Sequence, residues 1–235
     1  MGHLEQTKQL AGLLFGTLFL LASCSQEEEV NITNGRFLIF GNSITYHEPA
    51  PEKGWNGNWG MAATSSSKDY AHQLKSNILN TNPRAEVKIA GQGAVFEQSF
   101  DSIDFDQHYF DLKAFQCDFL VINLGENVVD SLALNDLFIS QFTSLINYLR
   151  PNGQVPVVVV GVVWNKQNVR RALIKISREN GFSFVDLREM VTDYELKAKG
   201  MFRDTEVASH PNDDGMAFIA DRVWEAIVKE SAVTE

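Results

Sequence analysis

Five short apolar runs, rich in Val, Ile, Leu and Phe, recur along the chain with helical patterns between them, and this alternation narrows the possible folds more than any other feature. The runs are Phe37 to Phe40, Glu86 to Ala90, Phe119 to Leu124, Val155 to Val163 and Phe182 to Asp186. Strands that are apolar at successive positions, rather than at every second one, are covered on both faces. The segments Asp69 to Asn80, Ser131 to Leu149, Val169 to Asn180 and Gly215 to Lys229 read as helices; the second runs into Arg150-Pro151-Asn152-Gly153 and the third into Gly181, both stop signals. Strand and helix in alternation imply a parallel sheet with helices on each side. The expected fold is α/β, a flavodoxin-like three-layer α/β/α sandwich with a five-stranded parallel sheet and its site at the strands' carboxyl ends.

A chain of 235 residues that is 44% hydrophobic supplies one full core rather than two. Residues 1–23 read as a secretion signal: Lys8, an apolar stretch from Leu10 to Leu21, then Leu21-Ala22-Ser23 before Cys24. The stretch is too short to span a bilayer comfortably. Small residues before a cysteine resemble the lipobox of bacterial lipoproteins, which makes Cys24 the expected lipidation site. Residues 24–34 form an acidic tether, and its Glu27-Glu28-Glu29 resembles the surface-export signal of lipoproteins in Bacteroidetes-type bacteria. The expected location is the bacterial cell envelope, lipid-anchored to the outer membrane through Cys24 alone, with residues 35–235 as the folded domain. Cys117 has no partner for a disulfide once Cys24 is acylated and reads as core. A net charge of −10 argues against nucleic acid as a partner. No His, Cys or Asp cluster has metal-ligand spacing, and no cofactor motif is present, so neither is expected.

Chemistry concentrates at glycine turns after the strands. Ser43 lies in Gly41-Asn42-Ser43-Ile44-Thr45, directly after the first strand, and His210 lies in Ser209-His210-Pro211-Asn212-Asp213, just before the last helix. A serine hydroxyl attacks an acyl carbon usefully only when an imidazole removes its proton, so the two residues fit as nucleophile and base. Ile89-Ala90-Gly91-Gln92-Gly93-Ala94 and Leu124-Gly125-Glu126-Asn127 end two further strands. A backbone amide at Gly93, with Gly91 as rival, and the Asn127 carboxamide supply neutral donors for an oxyanion.

With these blocks in order, the chain resembles the SGNH/GDSL hydrolase superfamily over nearly all of residues 35–235. The resemblance implies Ser43 as nucleophile and, through its amide, first oxyanion donor, Gly93 as second, Asn127 as third, and His210 as general base. Two positions depart from the family pattern. Asn42 stands where the motif has aspartate, and Val207 stands three residues before His210, where the pattern has the aspartate that holds the imidazole. A backbone carbonyl before His210 or the Glu206 carboxylate is the expected substitute, with Asp204 and Glu126 behind them.

The expected activity is carboxylic ester hydrolysis of O-acyl groups, acetyl groups on carbohydrate foremost, the substrate class resting on family and location. An O-acyltransferase and a non-catalytic glycan-binding lipoprotein are the alternatives on the same fold. Trp55 and Trp59, in the long connection from Thr45 to Ser67, offer either a sugar-stacking platform or internal packing. His47 and His108 read as loop residues, and His72 as a solvated helix position.

Overall fold

The computed structural model describes residues 35–151, 153 and 155–233; the signal segment, Cys24 and the acidic tether lie outside the described residues. In chain order the elements are β1 (Arg36–Gly41), α1 (Tyr70–Thr81), β2 (Glu86–Ala90), α2 (Ala94–Ser99), α3 (Phe105–Ala114), β3 (Phe119–Asn123), α4 (Asp136–Leu149), β4 (Val157–Val160), α5 (Gln167–Asn180), β5 (Ser183–Val185), α6 (Glu189–Thr192), α7 (Thr205–Ser209) and α8 (Asp213–Val233). The strands form one sheet in the order β2-β1-β3-β4-β5, and every neighbouring pair is parallel. This is the flavodoxin-like three-layer sandwich expected from the alternating pattern.

The continuous apolar strands face two cores. Leu38 and Phe40 of β1 join Leu120, Ile122, Val157 and Val159 under α2 to α5, whereas Phe37 and Ile39 join Phe119, Val121, Val158 and Val160 under α1 and α8. Successive side chains on a strand point to opposite faces, so only a run apolar at every position can serve both layers. Cys117 is buried in the first core, and burial pushes its thiol up to about 12. The chain leaves β1 in one direction to β2 and returns past it to β3, which opens a crevice at the carboxyl ends of β1 and β3.

Several sequence expectations are corrected by local chemistry. The run Val155 to Val163 pairs only over β4, because β5 spans three residues and the chain beyond Gly161 turns toward the crevice. The helix read from Ser131 begins instead at Asp136, where the Asn135 side chain accepts the Leu137 N–H as an N-cap; a single 3-10 turn, Asp130–Leu132, precedes it. Between β2 and β3, the aromatic and acidic stretch folds as α2 and α3, the latter capped by Asp104, so His108 lies exposed on a helix rather than in a loop. His72 does sit on α1, but its Nδ1 is 2.7 Å from the wholly buried Asp69 carboxylate, so it is tied inward rather than simply solvated.

The long connection after β1 folds back on itself through antiparallel bridges His47 to Trp59 and Ala50 to Trp55. Trp55 is buried and meets Trp59 edge-on at 5.6 Å between ring centroids. Trp59 Nε1 donates to the Ala63 carbonyl at 2.8 Å. Val207, Ala198 and Met61 share this small core, so the tryptophans brace the loop after Ser43 against the segment that carries His210.

Candidate active site

Asn42 shapes the turn that carries Ser43. Its carbonyl accepts the amides of Thr45 at 2.9 Å and Tyr46 at 3.0 Å, and its Oδ1 accepts the Ile44 amide at 3.1 Å. The Ser43 carbonyl is in turn held by the Met61 amide at 2.8 Å. Gly41 is required by close packing, since a Cβ there would lie 1.9 Å from Thr45 Oγ1 and 2.8 Å from the Asn123 carbonyl. The turn therefore presents the Ser43 side chain at the crevice mouth from a backbone fixed on both sides.

His210 closes on it from the other end of the chain. Its Nε2 lies 2.8 Å from Ser43 Oγ, and its Nδ1 lies 2.8 Å from the backbone carbonyl of Glu206. A carbonyl only accepts, so Nδ1 carries the hydrogen and Nε2 presents its lone pair to the serine hydroxyl. The ring is 5% exposed, and burial lowers it to about 4, with the Glu206 carbonyl pulling weakly the other way. It is neutral at physiological pH. Trp164, unmarked in the sequence reading, stands edge-on to the imidazole at 5.2 Å and donates from Nε1 to the Ser209 carbonyl at 3.1 Å. Its only sequence signal was an aromatic just past the end of a strand.

The substitute for the missing aspartate is thus main chain. The Glu206 carboxylate points away to Lys53 Nζ at 2.6 Å, an exposed ion pair across the crevice rim. The Asp204 side chain accepts the amides of Glu206 and Val207 at 2.9 and 3.0 Å, capping α7. The Glu126 carboxylate faces Asn42 and the Val163 amide. Val207 is wholly buried in the small tryptophan core.

The oxyanion side is corrected at one residue. The Gly93 amide donates to the Gly41 carbonyl at 2.8 Å, so it is engaged within the fold. Position 93 is glycine because a Cβ would meet Leu124 Cδ2 at 2.2 Å and the Gly41 carbonyl oxygen at 2.5 Å. Gly91, Gln92 and Ala94 line the crevice beside it, so their backbone amides are the candidates for the second donor. Asn127 also lines the crevice; one hydrogen of its Nδ2 goes to Glu97 Oε2 at 2.6 Å, and an amide nitrogen has two.

These residues meet in one open crevice of about 820 Å³, lined further by Tyr46, His47, Glu48, Gln98 and Ser209. Chemically, it offers a polarised hydroxyl, a neutral base of fixed tautomer and uncharged N–H donors side by side.

No protein-family model matches the chain, and no curated protein matches it. Among solved structures, the chain superposes on a two-domain esterase active on acetylated mannans with a TM-score of 0.54 and 18% identity, covering 83% of this chain and 50% of that one. The chain thus spans about half the length of that esterase. A GDSL-like lipase from Bacteroides ovatus superposes at 0.55 with 15% identity, over 84% of this chain and 100% of that one. An α/β hydrolase from the Lake Arreo metagenome gives 0.52 with 16% identity, over 85% and 97%. The fold is that of the SGNH/GDSL hydrolases.

Proposed function

We propose that the protein is a serine esterase of the SGNH type that removes O-acyl groups, acetyl groups in particular, from carbohydrate. The observation that carries this reading is the contact of Ser43 Oγ with His210 Nε2 at 2.8 Å, on an imidazole whose tautomer is set by the Glu206 carbonyl. In the acylation step the Ser43 oxygen bonds to the ester carbon while its proton passes to His210 Nε2. The carbonyl oxygen becomes an oxyanion facing the Ser43 amide, the free N–H of Asn127 and a backbone amide of the Gly91 to Ala94 turn. Collapse breaks the bond to the alcohol, which leaves with the proton from His210. Water then repeats the sequence on the acyl-enzyme, releasing the acid and restoring Ser43.

The carbohydrate assignment is supported by a crevice open to bulky alcohols and rimmed by Lys53, Glu48, Gln98 and Trp164, and by the mannan-active esterase that shares the fold. Attachment to the cell envelope through Cys24 belongs to the same proposal and is supported by the sequence before that residue.

Turnover of p-nitrophenyl acetate and release of acetate from acetylated mannan or xylan test the reading. Wild type should act on both, and Ser43→Ala on neither. Equal turnover by the variant would sink the serine mechanism.

A further inference from the structure

The chain blocks that supply the site converge on a carboxylate that the ester chemistry does not use. Glu97 of α2 is 2% exposed. Its Oε2 accepts Asn127 Nδ2 at 2.6 Å, and its Oε1 accepts the Gly125 amide at 2.5 Å and the Asn127 amide at 3.3 Å. Asn42 Nδ2 donates to the same carboxylate, at 3.1 Å to Oε1 and 3.3 Å to Oε2. Every one of these partners is an N–H donor. A protonated carboxyl would have to aim its own hydrogen at one of them, so the arrangement fits the ionised form.

The second buried acid, Glu126, sits across Asn42, whose Nδ2 also donates to it at 3.0 Å; its other oxygen accepts the Val163 amide at 3.4 Å. Two buried carboxylates that share one amide do not both ionise cheaply. Burial raises both acids, and the charge on Glu97 adds to the rise of Glu126, to about 7. The larger number of N–H donors on Glu97 favours the charge there over Glu126. Asn42 fits here as an amide: aspartate, the residue of the family motif, would place a third carboxylate against the other two.

We propose that Glu97 is a positioning residue of the oxyanion hole, its carboxylate holding one N–H of the Asn127 carboxamide and the Gly125 to Asn127 backbone so that the second Asn127 N–H is fixed toward the crevice. The proposal rests on the reading of Asn127 as an oxyanion donor. It assigns Glu97 no contact with substrate.

Two readouts on the full chain test it. The side-chain NH₂ signals of Asn127, identified by their loss in Asn127→Ala, should be widely split in proton–nitrogen NMR spectra, and Glu97→Gln should collapse that splitting. Glu97→Asp, which keeps the charge, should retain part of it and serves if Glu97→Gln does not fold. In turnover of p-nitrophenyl acetate, Glu97→Gln should lower kcat by up to about 10²-fold with KM little changed, the size expected when one oxyanion donor is misplaced. The same change in an Asn127→Ala background should cost almost nothing further. Unchanged Asn127 signals in the Glu97 variants, or losses that multiply in the double variant, would overturn the proposal. Failure of the esterase reading would show separately, as Ser43→Ala acting like wild type, and the NMR comparison would still decide the role of Glu97.

Discussion

Among the described residues, His210, the proposed base, has a backbone carbonyl behind it and not a carboxylate. The Glu206 carbonyl fixes its tautomer but brings no full charge to stabilise the imidazolium, and burial disfavours that ion. The base form has a bare Nε2, so activity is present above the folded pKa and lost as pH falls through it. The acid limb of kcat/KM should therefore fall near pH 4, where burial places the ring, and not at its ordinary 6.5. A limb near 6.5 in a pH–rate series would show that the ring is not buried as described. Glu206→Gln should change kcat by no more than about fivefold, the kinetic equivalent of the roughly 1 kcal/mol of an exposed ion pair, because it removes the contact with Lys53 and leaves the carbonyl. A larger loss in steady-state assays would put the carboxylate on the imidazole. Val207→Asp should not restore a triad. It would bury a carboxylate beside Trp55, Met61 and Ala198 at a cost on the order of 3–5 kcal/mol, seen as a lowered midpoint in thermal or denaturant unfolding; an unchanged midpoint would contradict this packing.

At the scale of elements, the site depends on how α2 docks onto β1. Gly93→Ala keeps the amide but drives a methyl into Leu124 and the Gly41 carbonyl, so stability and activity should fall together. Full stability with activity lost would return Gly93 to the oxyanion hole. This is also where sequence and structure part. The glycine turns after β1, β2 and β3 were legible because parallel strands must end in sharp turns, and the meeting of Ser43, Asn127 and His210 in one crevice because each stands at such a turn or just before the last helix. That the Gly93 amide is taken up by the Gly41 carbonyl was not legible, since Gly91 and Gly93 satisfy the same spacing and the bond is a long-range contact. The partner of His210 was open for a different reason: a main-chain carbonyl has no residue type to announce it. Glu97 lies amid aromatics, 55 residues from Asn42, and nothing local marks it as buried.

At the scale of the whole molecule, one sheet gathers groups from both ends of the chain, with Ser43 and His210 167 positions apart. Residues 1–34 lie outside the described residues. If Cys24 carries the lipid, Cys24→Ala should move the protein from the membrane fraction to the soluble fraction with its esterase activity intact; retention in the membrane fraction would end the lipoprotein reading. Activation of Ser43 by His210 can be tested without any choice of substrate. The protein, Ser43→Ala and His210→Ala are treated with a fluorophosphonate, and the adduct is located by mass spectrometry. A single adduct on the peptide containing Ser43 is expected in the wild type, none in Ser43→Ala, and labelling slowed by on the order of 10²-fold or more in His210→Ala, the scale of general-base assistance. An unlabelled Ser43, or labelling at an undiminished rate without His210, would contradict the account.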